Sequence, residues 1–107
     1  MLTDVPQIRS GFHKAAVDIG QSVTMVCQSH GWPRPIMEWY HGDTRLSDQL
    51  QTRITRSQVS GLFSQQSVLK INNIKIAHLG QYKCVAKNKM GLNTTYIQIR
   101  QKCKYRK

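Results

Sequence analysis

The chain contains 107 residues, of which 16 are basic and 5 acidic, giving a formal net charge of +11 at pH 7. This length accommodates one domain and one core, and no apolar run approaches the roughly 18 residues of a membrane-spanning helix. The chain has few acidic residues, its histidines lack metal-ligand spacing, and it contains no phosphate-binding or nucleophile motif. These features argue against a catalytic, metal or cofactor site, so we predict a non-enzymatic protein.

The first half of the chain predicts short strands separated by turns. Turn signals stand at residues 20–22 and 42–43, and prolines interrupt the chain between the two strands. Both strands alternate with the period of two that is typical of a strand with one buried face. The residues on their buried sides are Val23, Met25, Cys27, Met37 and Trp39. Leu46 is the expected core contact of a short strand that follows.

The second half continues the same pattern. Residues 49–64 predict a strand and its loop, with Ile54 inside and a bend at residues 60–61. Three further strands are expected at residues 67–71, around residue 84 and at residues 92–100, and residues 74–79 connect the first two of them. Their expected core residues are Leu69, Ile71, Tyr82, Cys84, Ala86, Ile97 and Ile99. Residues 88–91 predict a hairpin turn in which Gly91 supplies a positive φ.

A family resemblance rests on Cys27, Trp39 and Cys84, with Tyr82 two residues before Cys84. In that order they make residues 5–100 resemble an I-set immunoglobulin domain. The resemblance implies an all-β, two-sheet antiparallel sandwich with Greek-key topology, joined by a Cys27–Cys84 disulfide beside Trp39. It also implies a tyrosine corner, in which the Tyr82 hydroxyl bonds to the preceding turn. The supporting segments are Gly31-x-Pro33-x-Pro35-x-Met37-x-Trp39, Leu69-x-Ile71 and Ala86-x-Asn88-x-x-Gly91.

Within that family the chain is similar to modules of neural cell-adhesion proteins of the lachesin, amalgam and IgLON type. The shared segments are Val-Leu-x-Ile and Tyr-x-Cys-x-Ala-x-Asn-Lys-x-Gly, at residues 68–71 and 82–91. The resemblance implies an extracellular recognition or adhesion module that binds a cell-surface receptor or adhesion molecule. We expect residues 1–107 to form one such domain, with a core at about 5–100 and a basic tail at 101–107, within a longer cell-surface or secreted protein.

The compartment follows from the disulfide and from a glycosylation sequon. A disulfide persists in an oxidising compartment, and Asn93 begins an Asn-Thr-Thr sequon typical of secreted glycoproteins. Both indicate an extracellular location. A muscle-type I-set module inside the cell, which needs no disulfide, is an alternative.

Two residues depart from the expected pattern. His78 stands where the family usually has an aspartate paired with an arginine, for which Arg53 and Arg56 are the candidates. We interpret His78 as a tolerated surface substitution, with pH sensing as the alternative. Cys103 is left over once Cys27 and Cys84 pair, which leaves open an intermolecular disulfide, a partner cysteine elsewhere in a longer chain, or a free thiol.

The positive charge is concentrated in residues 49–107, which contain twelve basic residues and no acidic one. Strand alternation places part of it on the solvent face of the sheet that contains Trp39 and Cys84. That face is the predicted partner-binding surface, because tyrosine and arginine are enriched at protein interfaces. It comprises Tyr40, Lys83, Val85, Lys87, Tyr96, Gln98 and Arg100. A solvated face that keeps the domain soluble is the plainer interpretation.

The end of the chain alternates basic residues and predicts a cationic edge if it is extended. These residues are Arg100, Lys102, Lys104, Arg106 and Lys107. Such an edge suits heparan sulfate, so a heparin-binding or growth-factor-binding extracellular domain is the alternative function, and a disordered linker is the plainer interpretation. No nucleic-acid-binding motif accompanies the charge, so we expect no nucleic acid partner.

Overall fold

The computed structural model describes residues 4–48, 52–58 and 64–103, which form two β-sheets. A 3-10 turn, Ile76–His78, precedes the eighth strand. Within these described residues, no helix combines the length and apolar character needed to cross a membrane. The strands are β1 (Asp4–Ser10), β2 (Lys14–Val17), β3 (Val23–Trp32), β4 (Ile36–His41), β5 (Thr44–Arg45), β6 (Thr52–Gln58), β7 (Ser64–Ile71), β8 (Gly80–Asn88) and β9 (Gly91–Gln101).

One sheet has four strands in the order β1-β3-β7-β6, and the other has five in the order β2-β9-β8-β4-β5. Neighbouring strands are antiparallel except β2 and β9, which run parallel. The predicted all-β, two-sheet immunoglobulin-like sandwich is thus confirmed. Strands β1 and β2 were not predicted, and β7 begins three residues earlier than expected. The bend expected at residues 60–61 lies outside the described residues.

Alternating burial along the strands builds the core between the sheets. In β3 every second residue from Val23 to Cys27 is buried, and β8 and β9 follow the same rule. Leu46 and Ile54 pack against this core while remaining partly exposed. The residues that are at most 1% exposed include Met25, Leu69, Ile71, Tyr82, Ala86, Ile97 and Ile99.

Two cross-links hold the sheets face to face. Cys27 on β3 and Cys84 on β8 form a disulfide across 57 residues of sequence, worth on the order of 4 kcal/mol in the chain-entropy description. Trp39 on β4 is buried and is the register partner of Cys84. Its indole Nε1 donates a 2.8 Å hydrogen bond to the buried hydroxyl of Ser67 on β7. A covalent bond and a buried hydrogen bond therefore join the same two sheets.

Tyr82 closes the turn that leads into β8. Its hydroxyl donates to the backbone carbonyl of His78, and burial raises the pKa of Tyr82 to about 12. The ring of His41 stacks on that of Tyr82 with centroids 4.3 Å apart, and His41 Nε2 donates to the Leu79 carbonyl at 2.8 Å. Gly80 has a φ of 123°, and a Cβ there would lie 3.2 Å from His41 Nε2, so the packed histidine requires a glycine.

His78 holds the same turn through its side chain. Its Nδ1 accepts the backbone N–H of Lys75 at 2.8 Å. Burial lowers the pKa of His78, and the nearby His41 and Lys75 lower it further. The groups that lower the pKa of His78 electrostatically are therefore His41 and Lys75, whereas the family pattern pointed to an arginine on β6.

Replacing Ser67 with alanine should lower the free energy of unfolding by about 1–3 kcal/mol, because the buried Trp39 N–H loses its acceptor. Urea denaturation followed by tryptophan fluorescence measures the change. Ser47→Ala, at an exposed loop position, is the control and should change the free energy by less than about 0.5 kcal/mol. A value for Ser67→Ala within that control range would show that the indole hydrogen bond contributes nothing.

Acidification should destabilise the domain through His78. Its folded-state pKa lies below the ordinary 6.5, so the unfolded chain binds the proton more tightly. The contribution of His78 is therefore fully present above about pH 6.5 and is lost as the pH falls through the folded-state pKa. His78→Asn keeps an acceptor for Lys75 but cannot titrate. Thermal unfolding between about pH 7 and pH 5 should show a smaller loss for this variant, and parallel curves would refute the idea.

Candidate functional site

The solvent side of the five-stranded sheet brings together all seven residues predicted to bind a partner. Strand register arranges its centre in three rows, and Gln98 and Arg100 continue β9 beyond the third row. Arg45 lies beside Tyr40 on one edge, and Lys14 lies beside Gln98 on the other. We call this whole surface the outer face. Its three rows are Ile36–Lys87–Leu92, Glu38–Val85–Thr94 and Tyr40–Lys83–Tyr96.

Glu38 is the one acidic side chain of the outer face, and its carboxylate is fully engaged. One oxygen, Oε2, lies 3.3 Å from the Arg45 guanidinium, and Oε1 lies 3.3 Å from Lys87 Nζ. The Tyr40 hydroxyl donates to Oε1 at 3.2 Å. Only 11% of the Glu38 side chain remains exposed. The two cations outnumber this single carboxylate, so the middle of the outer face offers little negative charge to a partner.

The third row sets a cation between two tyrosines. Lys83 Nζ lies 5.1 Å from the centre of the Tyr40 ring, a cation–π contact. Tyr96, on the other side of Lys83, is 49% exposed. Within the described part of the chain, neither Lys83 nor Arg100 forms an ion pair with an acid. These two cations are available to an incoming negative charge.

The first row is apolar at both ends. Ile36 is 55% exposed and Leu92 61% exposed, and they flank Lys87. Both were missed by the sequence-based prediction of the surface. The signal that could have found them is the same alternation, continued back from Trp39 to the first residue of β4 and from Ile97 to the start of β9.

Of the five residues predicted to form a cationic edge, the structure describes Arg100 and Lys102. Lys102 Nζ lies 3.7 Å from the Asp18 carboxylate, and its backbone N–H donates to the Val17 carbonyl at 2.8 Å. Arg100 is exposed on the outer face, and Cys103 is an exposed free thiol. Three tail residues, Lys104, Arg106 and Lys107, lie outside the described residues.

The sequon lies on the opposite side of β9 from the outer face. Asn93 is exposed but is the register partner of buried Ala86, so its side chain has the inward parity. Its Nδ2 donates to the Pro6 carbonyl at 3.3 Å. Thr95 is buried, with its hydroxyl 3.4 Å from the Ser10 hydroxyl on β1.

Comparison with known proteins agrees with this architecture. The family model of the immunoglobulin I-set domain matches residues 6–100. The chain is 33% identical over 80 residues to limbic system-associated membrane protein of Rattus norvegicus, covering 75% of this chain and 22% of that protein. It is also 30% identical over 81 residues to titin of Drosophila melanogaster. That match covers 76% of this chain and, to the nearest per cent, 0% of the much longer titin.

A solved structure extends the similarity to three dimensions. The crystal structure of Dpr2 Ig1-Ig2 in complex with DIP-Theta Ig1-Ig3 contains a chain that matches with a TM-score of 0.87 and 24% identity. The match covers 94% of this chain and 33% of that one. The chain also spans less than a quarter of the length of the curated relatives it matches first, 23% and 22%.

Replacing Glu38 with glutamine should lower the free energy of unfolding by up to about 1 kcal/mol at low salt, since Arg45 and Lys87 lose their shared counter-charge. The deficit should shrink at about 1 M salt, where charges on a surface are screened within about 3 Å. Denaturation at both salt concentrations measures it, with Asp43→Asn in the exposed β4–β5 turn as the control. A salt-independent deficit would assign the effect to the Tyr40 hydrogen bond or to packing.

Proposed function

Because the chain belongs to the immunoglobulin I-set family, we propose that it is a non-catalytic extracellular recognition module that binds another protein through the outer face. The observation that carries this proposal is one open sheet surface that combines exposed Ile36, Leu92 and Tyr96 with the uncompensated cations Lys83 and Arg100. Exposed apolar groups on one side of a domain, with tyrosine and arginine among them, are typical of a protein interface.

The disulfide supports an extracellular location. The bond between Cys27 and Cys84 persists in oxidising compartments and is rare in the cytosol. The muscle-type alternative, represented here by titin, does not depend on such a bond. An adhesion or receptor-type protein, of which this domain is one part, accounts for both the disulfide and the open face.

The size of the outer face supports a weak contact that is strengthened by repetition. Five strands about 4.8 Å apart and at most eight residue steps of about 3.4 Å give a flat area of no more than about 650 Å². A stable complex usually buries about 800 Å² on each partner. One domain alone is therefore expected to bind weakly, and presentation of several copies on a cell surface would raise the apparent affinity.

Asn93 is proposed to carry a glycan that leaves the outer face uncovered. Its side chain has the inward parity at the end of the sandwich, beside Pro6 on β1. A sugar attached there extends toward the β1 side of the domain. Glycosylation and binding through the outer face are then compatible.

Binding to heparan sulfate is the second candidate function. It is favoured by Lys14, Lys83 and Arg100, which stand on the outer face with no acidic partner among the described residues. A polyanion would make no use of Ile36 and Leu92, however. Recognition of a protein uses both the charged and the apolar residues, so it is the better-supported candidate.

The domain, joined into tetramers, should bind at least one member of a panel of cell-surface ectodomains from its source organism. Tyr96→Ala and Leu92→Ser should each weaken that binding by about tenfold or more, as expected when a large exposed side chain that anchors an interface is truncated. Ile76→Ser is the matched control, because Ile76 is 63% exposed but lies in the 3-10 turn away from the outer face. Biolayer interferometry at physiological salt measures all four proteins.

The same measurement separates the two candidate functions. Unchanged binding by both outer-face variants would remove this surface from consideration. Binding that soluble heparin abolishes, and that declines steeply as salt rises, would favour the polyanion. A contact anchored by Tyr96 and Leu92 should decline only modestly with salt.

A further inference from the structure

The outer face is polarised along its strands. Its end nearest the β8–β9 turn presents Ile36 and Leu92 on either side of Lys87, whose charge is paired with Glu38. The third row and the end of β9 present Lys83 and Arg100, which have no acidic partner among the described residues. Leu92 and Arg100 are eight residues apart on one extended strand, a distance of about 27 Å. Between the two ends, Glu38 is occupied by its own cations. The surface therefore has an apolar end and a cationic end.

This polarity does not suit a second copy of the chain. Two sheet faces related by a twofold axis can pair with that axis along the strands or across them. With the axis along the strands, Lys83 and Arg100 of one copy meet those of the other, a repulsive contact. With the axis across the strands, the same cations are buried against Ile36 and Leu92, which removes their hydration without compensation. The net charge of +11 adds a general repulsion between copies.

We infer that the outer face binds a different protein chain, which presents carboxylates opposite Lys83 and Arg100 and apolar side chains opposite Ile36 and Leu92. This inference rests on the proposed function, because it names the partner of the same face. Opposite charge at one end and apolar contact at the other also set the orientation of the partner along the strands. Recognition is thus between unlike chains.

A charge-reversed variant of this chain can stand in for such a partner. The double variant Lys83→Glu/Arg100→Glu carries an acidic end and keeps the apolar end. The wild type alone should remain monomeric in sedimentation equilibrium at roughly 100 µM. Mixed at low salt with the double variant, it should associate at least about tenfold more tightly than either protein associates with itself. Adding Leu92→Ser to the double variant should abolish this association.

The matched control reverses two cations on the other sheet. Arg53 and Lys70 are register partners on β6 and β7, and both are exposed. Arg53→Glu/Lys70→Glu changes the net charge by the same amount but leaves the outer face unchanged. Its mixture with the wild type should therefore not associate. Circular dichroism checks folding of each variant. If Lys83→Glu unfolds the domain, Lys14→Glu/Arg100→Glu takes its place, since both of those residues are exposed on the outer face.

Each result decides a separate point. If the wild type self-associates and Leu92→Ser abolishes that self-association, pairing with an unlike chain is overturned. The outer face then remains the binding surface. Failure of the double variant to associate, or equal association by the control, would overturn the paired acidic and apolar chemistry. The proposed function itself is refuted by a different measurement, namely ectodomain binding that both Tyr96→Ala and Leu92→Ser leave unchanged.

Discussion

The disulfide between β3 and β8 is the constraint on which the rest of the structure depends. It requires Cys27 and Cys84 to face each other across the core, and Trp39 packs at the register position beside Cys84. Side chains alternate along a strand with a period of two, so a slip of one residue would turn every buried residue of that strand outward. Once these three residues face inward, the orientation of β3, β4 and β8 is determined.

The same constraint determines how side chains are arranged on the outer face. Because Trp39 pairs with Cys84, Tyr40 must pair with Lys83 and Glu38 with Val85 on the solvent side. The side chains proposed to bind a partner therefore stand on strands that the core holds in place, and not on loops. Such a surface loses little conformational freedom on binding, which favours recognition by a small area.

Sequence alternation could predict the parts of the fold where one face is buried along a whole strand. It failed at β2, where Lys14-Ala15-Ala16-Val17 has weak strand propensity, and the strand forms because β9 offers a parallel partner. On the outer face, alternation placed the seven predicted residues, but the prediction was not carried back to Ile36 and Leu92, the first residue of β4 and the second of β9. The ion pair between Glu38 and Arg45 could not be predicted, because it depends on the register of the two-residue strand β5.

The two sheets differ in what their solvent sides can offer a partner. On the four-stranded sheet, Arg9 donates to Gln28 and Gln28 donates to Gln66 at 3.0 Å, so these polar groups already satisfy one another. A partner that covered these side chains would displace the water around them without supplying new hydrogen bonds, which costs free energy. On the outer face, burying Ile36 or Leu92 removes apolar surface from water, and fully burying such a side chain stabilises by about 1.5–3 kcal/mol. A partner of mixed apolar and acidic character would thus gain more free energy by binding the five-stranded sheet than by binding the four-stranded one.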